Sequence, residues 1–316
     1  MTVSRSFRDP GSVKPETRDL VLRVCAELGY VPSSAASSLS TSRSRIIAYL
    51  IPNFSVELYH SVYAGLVEVL EPAGYQILVG ETHHSMEREE RVLREMLGWR
   101  PAACILAHMH HAPGSVSMLK TNQIATCELF EARGKFIDLA VGYSNKEAGY
   151  QAGLELVQSG CKQIFHVCSS AANTTRNLSH SEGLRSAAAA AKVKFSVARF
   201  DAESILSFKD GARFIAQIDR AVLRKKVGVF FSGDTPAAGA LWECQRLGYA
   251  VPDRIRLIGF GNSSMSETCE PALSSIAVHP RDMGRSAGRQ ILSRLNMTSP
   301  QPRIISSPFQ LVVRRT

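Results

Sequence analysis

The sequence predicts an α/β protein built of two doubly wound lobes, preceded by a small all-helical head. Three observations predict it. From Ile46 onward, short apolar runs alternate with amphipathic stretches at helical spacing, the pattern of parallel βαβ units, and there are too many units for one sheet. Before Arg45 no strand pattern occurs, only helical spacing and a Ser-rich connector. A chain of 316 residues is also too long for one small core and suits two or three domains.

The elements follow in order. Pro15 fits the first turn of a helix, where its missing N–H costs nothing. Leu20, Val21, Val24, Cys25 and Leu28 recur at helical spacing, and Gly29 ends the run. Residues 33–42 are almost all Ser, Ala and Thr, which by composition is a flexible linker or a short, weakly specified helix. Ile46–Pro52 reads as a buried strand, Leu58–Ala73 as a helix and Tyr75–Val79 as a strand. Arg88–Gly98 reads as a helix; Ala102–Ala107, Ile124–Leu129 and Ile137–Val141 read as strands. In the second half, helices are expected over Lys146–Gly160, Glu182–Ala191 and Pro236–Leu247. Strands are expected over Gln163–Cys168, Val227–Phe231 and Arg256–Phe260. In such sheets ligands bind outside the carboxyl ends of the strands.

Composition bounds the function. With 45% hydrophobic and 21% charged residues the chain is of ordinary globular make-up. No apolar run reaches the ~18 residues of a membrane span. The segment from Met1 to Val13 has no apolar stretch, so no secretory signal is expected and a cytoplasmic location is. Seven cysteines, odd in number and without Cys-x-x-Cys spacing, are expected as reduced, mostly buried thiols. The net charge of +9 permits a polyanionic partner without proving one. The first 45 residues hold seven Lys/Arg against four acids, so the head carries only part of that excess.

Three motifs stand in order in the head: Thr2-Val3-Ser4-Arg5, then Val13-Lys14-Pro15-Glu16-Thr17-Arg18, then Leu28-Gly29-Tyr30-Val31-Pro32. Together they resemble the DNA-binding head of the LacI/GalR family of transcription regulators. The resemblance implies a helix-turn-helix whose second helix enters the major groove. On that helix Val3 packs inward, while Thr2, Ser4 and Arg5 belong to the DNA-reading surface. Thr17 becomes a phosphate contact. Residues 33–44 become a hinge helix that orders on DNA, with Leu39 wedging into the minor groove; a leucine packed onto the body is the structural alternative. The family has a helix and turn before the Thr-Val-Ser-Arg segment. If Met1 is the true start, specific DNA binding is expected to be weak or lost while effector binding and dimerisation survive.

The body carries the same resemblance. Phe231-Ser232-Gly233-Asp234-Thr235-Pro236, Leu257-Ile258-Gly259-Phe260 and Pro271-Ala272-Leu273-Ser274-Ser275-Ile276 look like the family's late strands and crossover. This implies two Rossmann-like lobes of the periplasmic-binding-protein kind. The expected domains are a partial helix-turn-helix head over 1–32, a hinge over 33–44 and an effector-binding, dimerising body over 45–316. Lobe 1 covers about 45–142 and 277–304, and lobe 2 about 143–276 and 305–316. Asp234 suits a helix N-cap; the family's acid at that place takes ligand hydroxyls instead. Sugar- and purine-responsive members carry an arginine three residues before the glycine at 183, where this chain has His180 and places Arg176 further upstream. That arrangement, with Phe136–Tyr143, Trp242–Gly248 and Met86–Trp99, resembles the gluconate-utilisation repressor branch. A small polyol acid is the expected effector. Arg176 is either a surface arginine at a helix start or a bidentate carboxylate clamp. Asp234 and Glu128 are expected to take hydroxyls, His180 to join the site, and Asn53, Phe54 and Tyr59 to line the first lobe.

Histidines invite a metal reading at His83-His84 and at His108-x-His110-His111. Adjacent histidines point apart on most backbones, and no Cys or Asp stands at ligand spacing, so no metal and no cofactor are expected. His108, His110 and His111 follow a strand at its carboxyl end and are expected to border the cleft. No Ser-His-Asp order or phosphate loop is present, and Gly259-Phe260-Gly261 alone signifies nothing, so an enzyme is not expected. The favoured expectation is a dimeric, effector-responsive transcription regulator, most simply a repressor of sugar-acid metabolism, with operator DNA as partner. The rival is a solute-binding protein of the same two-lobed fold, against which the missing export signal argues.

Overall fold

The computed structural model describes residues 2–8, 10–30, 44–108, 110–170, 175–200, 206–296 and 304–316. Most of the expected hinge, Leu39 included, lies outside the described residues. The chain divides into two compact units, Met1–Ser44 and Arg45–Thr316.

In the first unit, α1 (Thr2–Arg8) is joined by a short 3-10 turn to α2 (Pro15–Glu27). Pro15 occupies the first turn of α2, and Gly29 closes its end at φ +62°. The resemblance expected Val3 to pack inward, but it is 42% exposed, and α2 has no buried residue. Two short helices offer each other too little surface to bury an apolar face. Phe7, Leu20, Val24 and Leu28 are correspondingly exposed.

The second unit holds two six-stranded sheets. Lobe 1 comprises β1 (Ile46–Ile51), α3 (Glu57–Leu70), β2 (Gln76–Glu81), α4 (Met86–Gly98), β3 (Ala103–Leu106), α5 (Pro113–Thr121), β4 (Ala125–Leu129) and β5 (Leu139–Gly142). Lobe 2 comprises α6 (Asn145–Gln158), β6 (Gln163–Ser169), α7 (Thr175–Ala190), β7 (Lys194–Phe200), α8 (Phe208–Gln217), β8 (Val227–Phe231), α9 (Asp234–Arg246), β9 (Ile255–Gly261), α10 (Ser264–Thr268) and β10 (Ser274–Val278). The chain then returns to lobe 1 as α11 (Pro280–Asn296) and β11 (Ile304–Ser306), and ends in lobe 2 as β12 (Phe309–Val312). The first sheet runs β11-β5-β4-β3-β1-β2, all parallel. The second runs β12-β10-β9-β8-β6-β7, parallel except for β12. The seven cysteines are all free.

Alternation along the strands assigns each side chain to a layer. In β1, Ile47, Tyr49 and Ile51 join the core shared with α3, α11 and the second lobe. Ala48 and Leu50 face the other way, into the core under α4 and α5. In β8, Phe230 joins the shared core, while Val227, Val229 and Phe231 join the core under α8 and α9. Helices α6 and α7 approach unusually closely: a Cβ on Gly183 would run into the Lys146 carbonyl, and one on Gly149 into the His180 backbone. That closeness fixes where the N-terminal turn of α7 stands.

Several expected bounds move. Helix α4 begins at Met86, capped by Ser85, whose hydroxyl accepts the Arg88 N–H at 3.2 Å. Helix α7 begins at Thr175 instead of Glu182, which places Arg176 in its first turn. Helices α5 and α8 and strand β7 had no counterpart in the sequence reading.

Candidate functional site

The site forms where the carboxyl ends of the strands in the two lobes face each other. Arg176, in the first turn of α7, reaches from lobe 2 to the hydroxyl of Tyr59 on α3 of lobe 1. Its guanidinium also lies 5.8 Å from the ring centre of Phe260, at the end of β9. Burial pushes the Tyr59 phenol up, and the neighbouring guanidinium holds that rise back. Tyr59 is braced by an edge-to-face contact with Phe130 at 5.7 Å. Among the described residues no carboxylate pairs with Arg176.

Around Tyr59 and this guanidinium stand buried polar atoms without protein partners among the described residues. The hydroxyls of Tyr49 and Tyr143 have none among the described residues, and neither does Nε2 of His84. Burial, with Arg176 second, lowers the His84 imidazole to about 4, so it is neutral at pH 7. Buried polar groups are normally satisfied, so a cluster of unsatisfied ones beside a cation with no carboxylate partner among the described residues marks a place for a polar ligand. Tyr49 and Tyr143 were not foreseen. The signal for Tyr143 was its position, one residue past the end of β5.

His180, one helical turn after Arg176, is fully buried against Phe260 (4.9 Å), Phe230 (5.3 Å) and His166 (6.2 Å). Neither of its ring nitrogens has a partner among the described residues. Burial drives its pKa well below the usual value, with His166 and Arg176 adding to the effect. His166 is bonded on both sides, Nδ1 to Ser181 Oγ at 2.7 Å and Nε2 to Ser232 Oγ at 2.8 Å. Ser232 in turn donates to Asn177 at 2.9 Å. This network ties the middle of β6 and the end of β8 to the first two turns of α7.

The two expected hydroxyl acceptors are placed differently. Asp234 opens α9, with Gly233 and not Asp234 at the N-cap position. Its carboxylate accepts the Ser263 N–H and the Ser275 hydroxyl, each at 2.6 Å. Burial raises its pKa, and those two bonds moderate the rise. The carboxylate fills the space a Cβ of Gly259 would take. Gly259 and Phe260 point to opposite faces of β9, so Asp234 and Arg176 meet only around the edge of the second sheet. Glu128 projects to the α4 side of the first sheet, away from Tyr59. There it accepts the Ile137 N–H and lies 3.3 Å from Nε2 of His111. The expectation that Glu128 joins Arg176 is corrected by strand alternation: its neighbours Cys127 and Leu129 take the shared core.

Asn53 and Phe54 sit in the turn after β1. Asn53 Oδ1 accepts the Ser55 N–H at 2.8 Å. Phe54 is exposed and packs on His60, ring centres 4.4 Å apart. The turn after β3 carries His108 and His111, and here the structure adds a partner that spacing did not suggest: Glu89 of α4 lies within 3.3 Å of His108 Nε2 and 3.0 Å of His111 Nδ1.

In the head, Thr2 and Arg5 are exposed on α1, and Ser4 lies in the same helix. Thr17 is exposed in the first turn of α2, where unpaired backbone N–H groups favour an anion.

Among the described residues no helix is long and apolar enough to cross a membrane. Residues 1–33 match the family model described as bacterial regulatory proteins, lacI family, and residues 154–316 match that of a periplasmic binding protein-like domain. The chain is 31% identical over 312 residues to the HTH-type transcriptional regulator GntR of Escherichia coli, covering 98% of this chain and 92% of that one. A LacI-family regulator from Silicibacter pomeroyi matches the structure with TM-score 0.91 and 28% identity, over all of this chain and 95% of its own. The transcription regulator GntR from Chromobacterium violaceum matches with TM-score 0.78 and 26% identity, over 85% of this chain and 98% of its own. A two-lobed body behind a helix-turn-helix segment, and relatives that are transcription regulators over nearly the full length, lead to one conclusion. The chain belongs to the LacI family of bacterial regulatory proteins and is a DNA-binding transcription regulator, not an enzyme.

Proposed function

We propose that this regulator is a cytoplasmic homodimer that represses genes of sugar-acid metabolism and responds to a small polyhydroxylated acid such as gluconate. The observation that carries the reading is Arg176. A guanidinium with no carboxylate partner among the described residues stands at the junction of the lobes, beside Tyr59 and the unpartnered hydroxyls of Tyr49 and Tyr143. A planar fork of donors suits a carboxylate, and the hydroxyls around it suit a polyol chain. His84 and His180 are neutral there and leave the positive charge to Arg176. Asn53 and Phe54 close the lobe 1 side, and Asp234 takes hydroxyls at the edge of the second sheet once Ser263 or Ser275 lets go. The resemblance to the gluconate-utilisation branch supports the same chemistry.

An acid bridging Arg176 and lobe 1 binds one arrangement of the lobes better than another. It can shift operator affinity only by that difference. In the head, Ser4 and Arg5 read bases, while Thr2 and Thr17 hold the backbone. Calorimetry with gluconate, idonate and their lactones and phosphates tests the reading. Gluconate binding by the wild-type chain that disappears in Arg176→Gln is expected. A preferred ligand carrying neither carboxylate nor phosphate overturns it. Gel-shift titration on a gluconate-type operator, with a steep fall in affinity as salt rises, tests the DNA side.

A further inference from the structure

On the far side of the first sheet from Tyr59, three groups from separate segments converge. Glu89 comes from the first turns of α4, and His108 and His111 from the turn after β3. Glu89 Oε2 is 3.3 Å from His108 Nε2 and 3.0 Å from His111 Nδ1, and one ligand atom from each residue lies within 4.8 Å of the others. Ligands bound about 2.0–2.1 Å from one tetrahedral zinc ion stand about 3.3 Å apart. Two of the three edges of this triangle are close to that size, and the third, at up to 4.8 Å, closes when the ion is bound.

The surroundings are those of a metal site. Zinc-bound histidines present their second ring nitrogen to a carboxylate or a backbone carbonyl. Here Nε2 of His111 faces Glu128 Oε1 at 3.3 Å, and the ring of His108 is hydrogen-bonded to the backbone of His110. Glu89 is also held, its Oε1 accepting the Ala112 N–H at 3.3 Å. Two nearly fully buried carboxylates face two imidazoles, and among the described residues no lysine or arginine pairs with either. A divalent cation neutralises both acids at once, which a single imidazolium does not. His108 is the most exposed of the three at 23%, so the cluster can be reached from solvent.

We propose that Glu89, His108 and His111 bind a divalent transition-metal ion of the zinc class, with Glu128 as the outer partner that orients His111. Imidazole and carboxylate donors without thiolate favour zinc, cobalt or iron over calcium or magnesium. The inference does not depend on the identity of the effector.

The test uses the full chain, free of any histidine tag and stripped with a chelator. Titration with Co²⁺ is expected to give one equivalent bound with visible d–d bands, displaced by Zn²⁺, and no thiolate charge-transfer band. Calorimetry with Zn²⁺ is expected to show one tight site. His108→Ala, at a partly exposed position, should weaken it roughly 100-fold or more, and Glu128→Gln roughly 10- to 100-fold. The exposed His60 and His83 serve as controls whose alanine variants bind as the wild type does. As a second measurement, Zn²⁺ should raise the melting midpoint of the wild-type chain and not of His108→Ala. A thiolate band, Zn²⁺ binding unchanged in His108→Ala, or no stoichiometric binding at all overturns the proposal.

Discussion

Replacing His180 by phenylalanine probes the lobe junction through two independent readouts. The residue is fully buried inside Phe230, Phe260 and His166, and its ring nitrogens lack partners among the described residues. A buried donor or acceptor left unsatisfied costs about 1–3 kcal/mol. Phenylalanine removes both and adds one ring atom to a closed site, an overpacking cost of about 1 kcal/mol. The net expectation is a gain of about 1 kcal/mol at pH 7, or roughly 2–4 °C in melting midpoint. The second readout is pH. Burial holds the folded imidazole well below its ordinary value, while in the unfolded chain it titrates near 6.5. The unfolded state therefore takes up the proton first as pH falls, so the stability carried by the neutral ring is present above about 6.5 and lost below it. As long as the folded ring stays neutral the loss grows by about 1.4 kcal/mol per pH unit, reaching about 2 kcal/mol at pH 5. His166, lowered to about 3 by burial, adds a similar loss that the variant retains. Urea titrations at pH 7 and pH 5 should therefore show a smaller acid loss in His180→Phe, by about 2 kcal/mol. An acid loss equal to that of the wild type within about 0.5 kcal/mol would refute the claim that His180 is held neutral. Destabilisation by more than about 2 kcal/mol at pH 7 would show that its nitrogens are bonded after all.

Three further outcomes are expected. Arg176→Gln should weaken binding of an acidic effector about 100-fold by calorimetry while leaving the melting midpoint within about 2 °C, since among the described residues the guanidinium has no carboxylate partner to lose. Gly183→Ala drives a methyl into the Lys146 carbonyl and the Tyr150 N–H, so α6 and α7 must part. A loss of about 2–3 kcal/mol in urea unfolding is expected, and Gly183→Ser should be no milder. In the head, Arg5→Ala should cost about 1–3 kcal/mol on the cognate operator and relax its sequence preference, whereas Thr17→Ala should weaken cognate and random DNA alike, both read by gel shift at fixed salt.

Much of the body was legible because its strands are buried on both faces. Ile46–Ile51 is a continuous apolar run, and so is Val227–Phe231, short and rich in β-branched or aromatic residues as fully buried strands are. Strand β7 escaped because it lies at the sheet edge, where Lys194, Ser196 and Arg199 break the run. Helix α8 carried a capping box, Ser207 with Asp210, and an apolar face at Phe214 and Ile215 that the sequence reading passed over, while α5 had Pro113 at its start. The beginning of α7 was placed too late because the Ala-rich end carries the stronger helical signal.

By itself, the sequence determined the α/β class, the two lobes, the helical head and the family resemblance, because each rests on patterns local to a few residues. Only the tertiary structure decided which side chains share a site. Sheet order and strand alternation are set by pairings between distant segments. They put Tyr59, Arg176 and His180 on the shared core, turned Glu128 and Asp234 to outer faces, and carried Glu89 across to His108 and His111. No spacing along the chain encodes that convergence, since the distance between two side chains depends on how sheets stack and not on how many residues separate them.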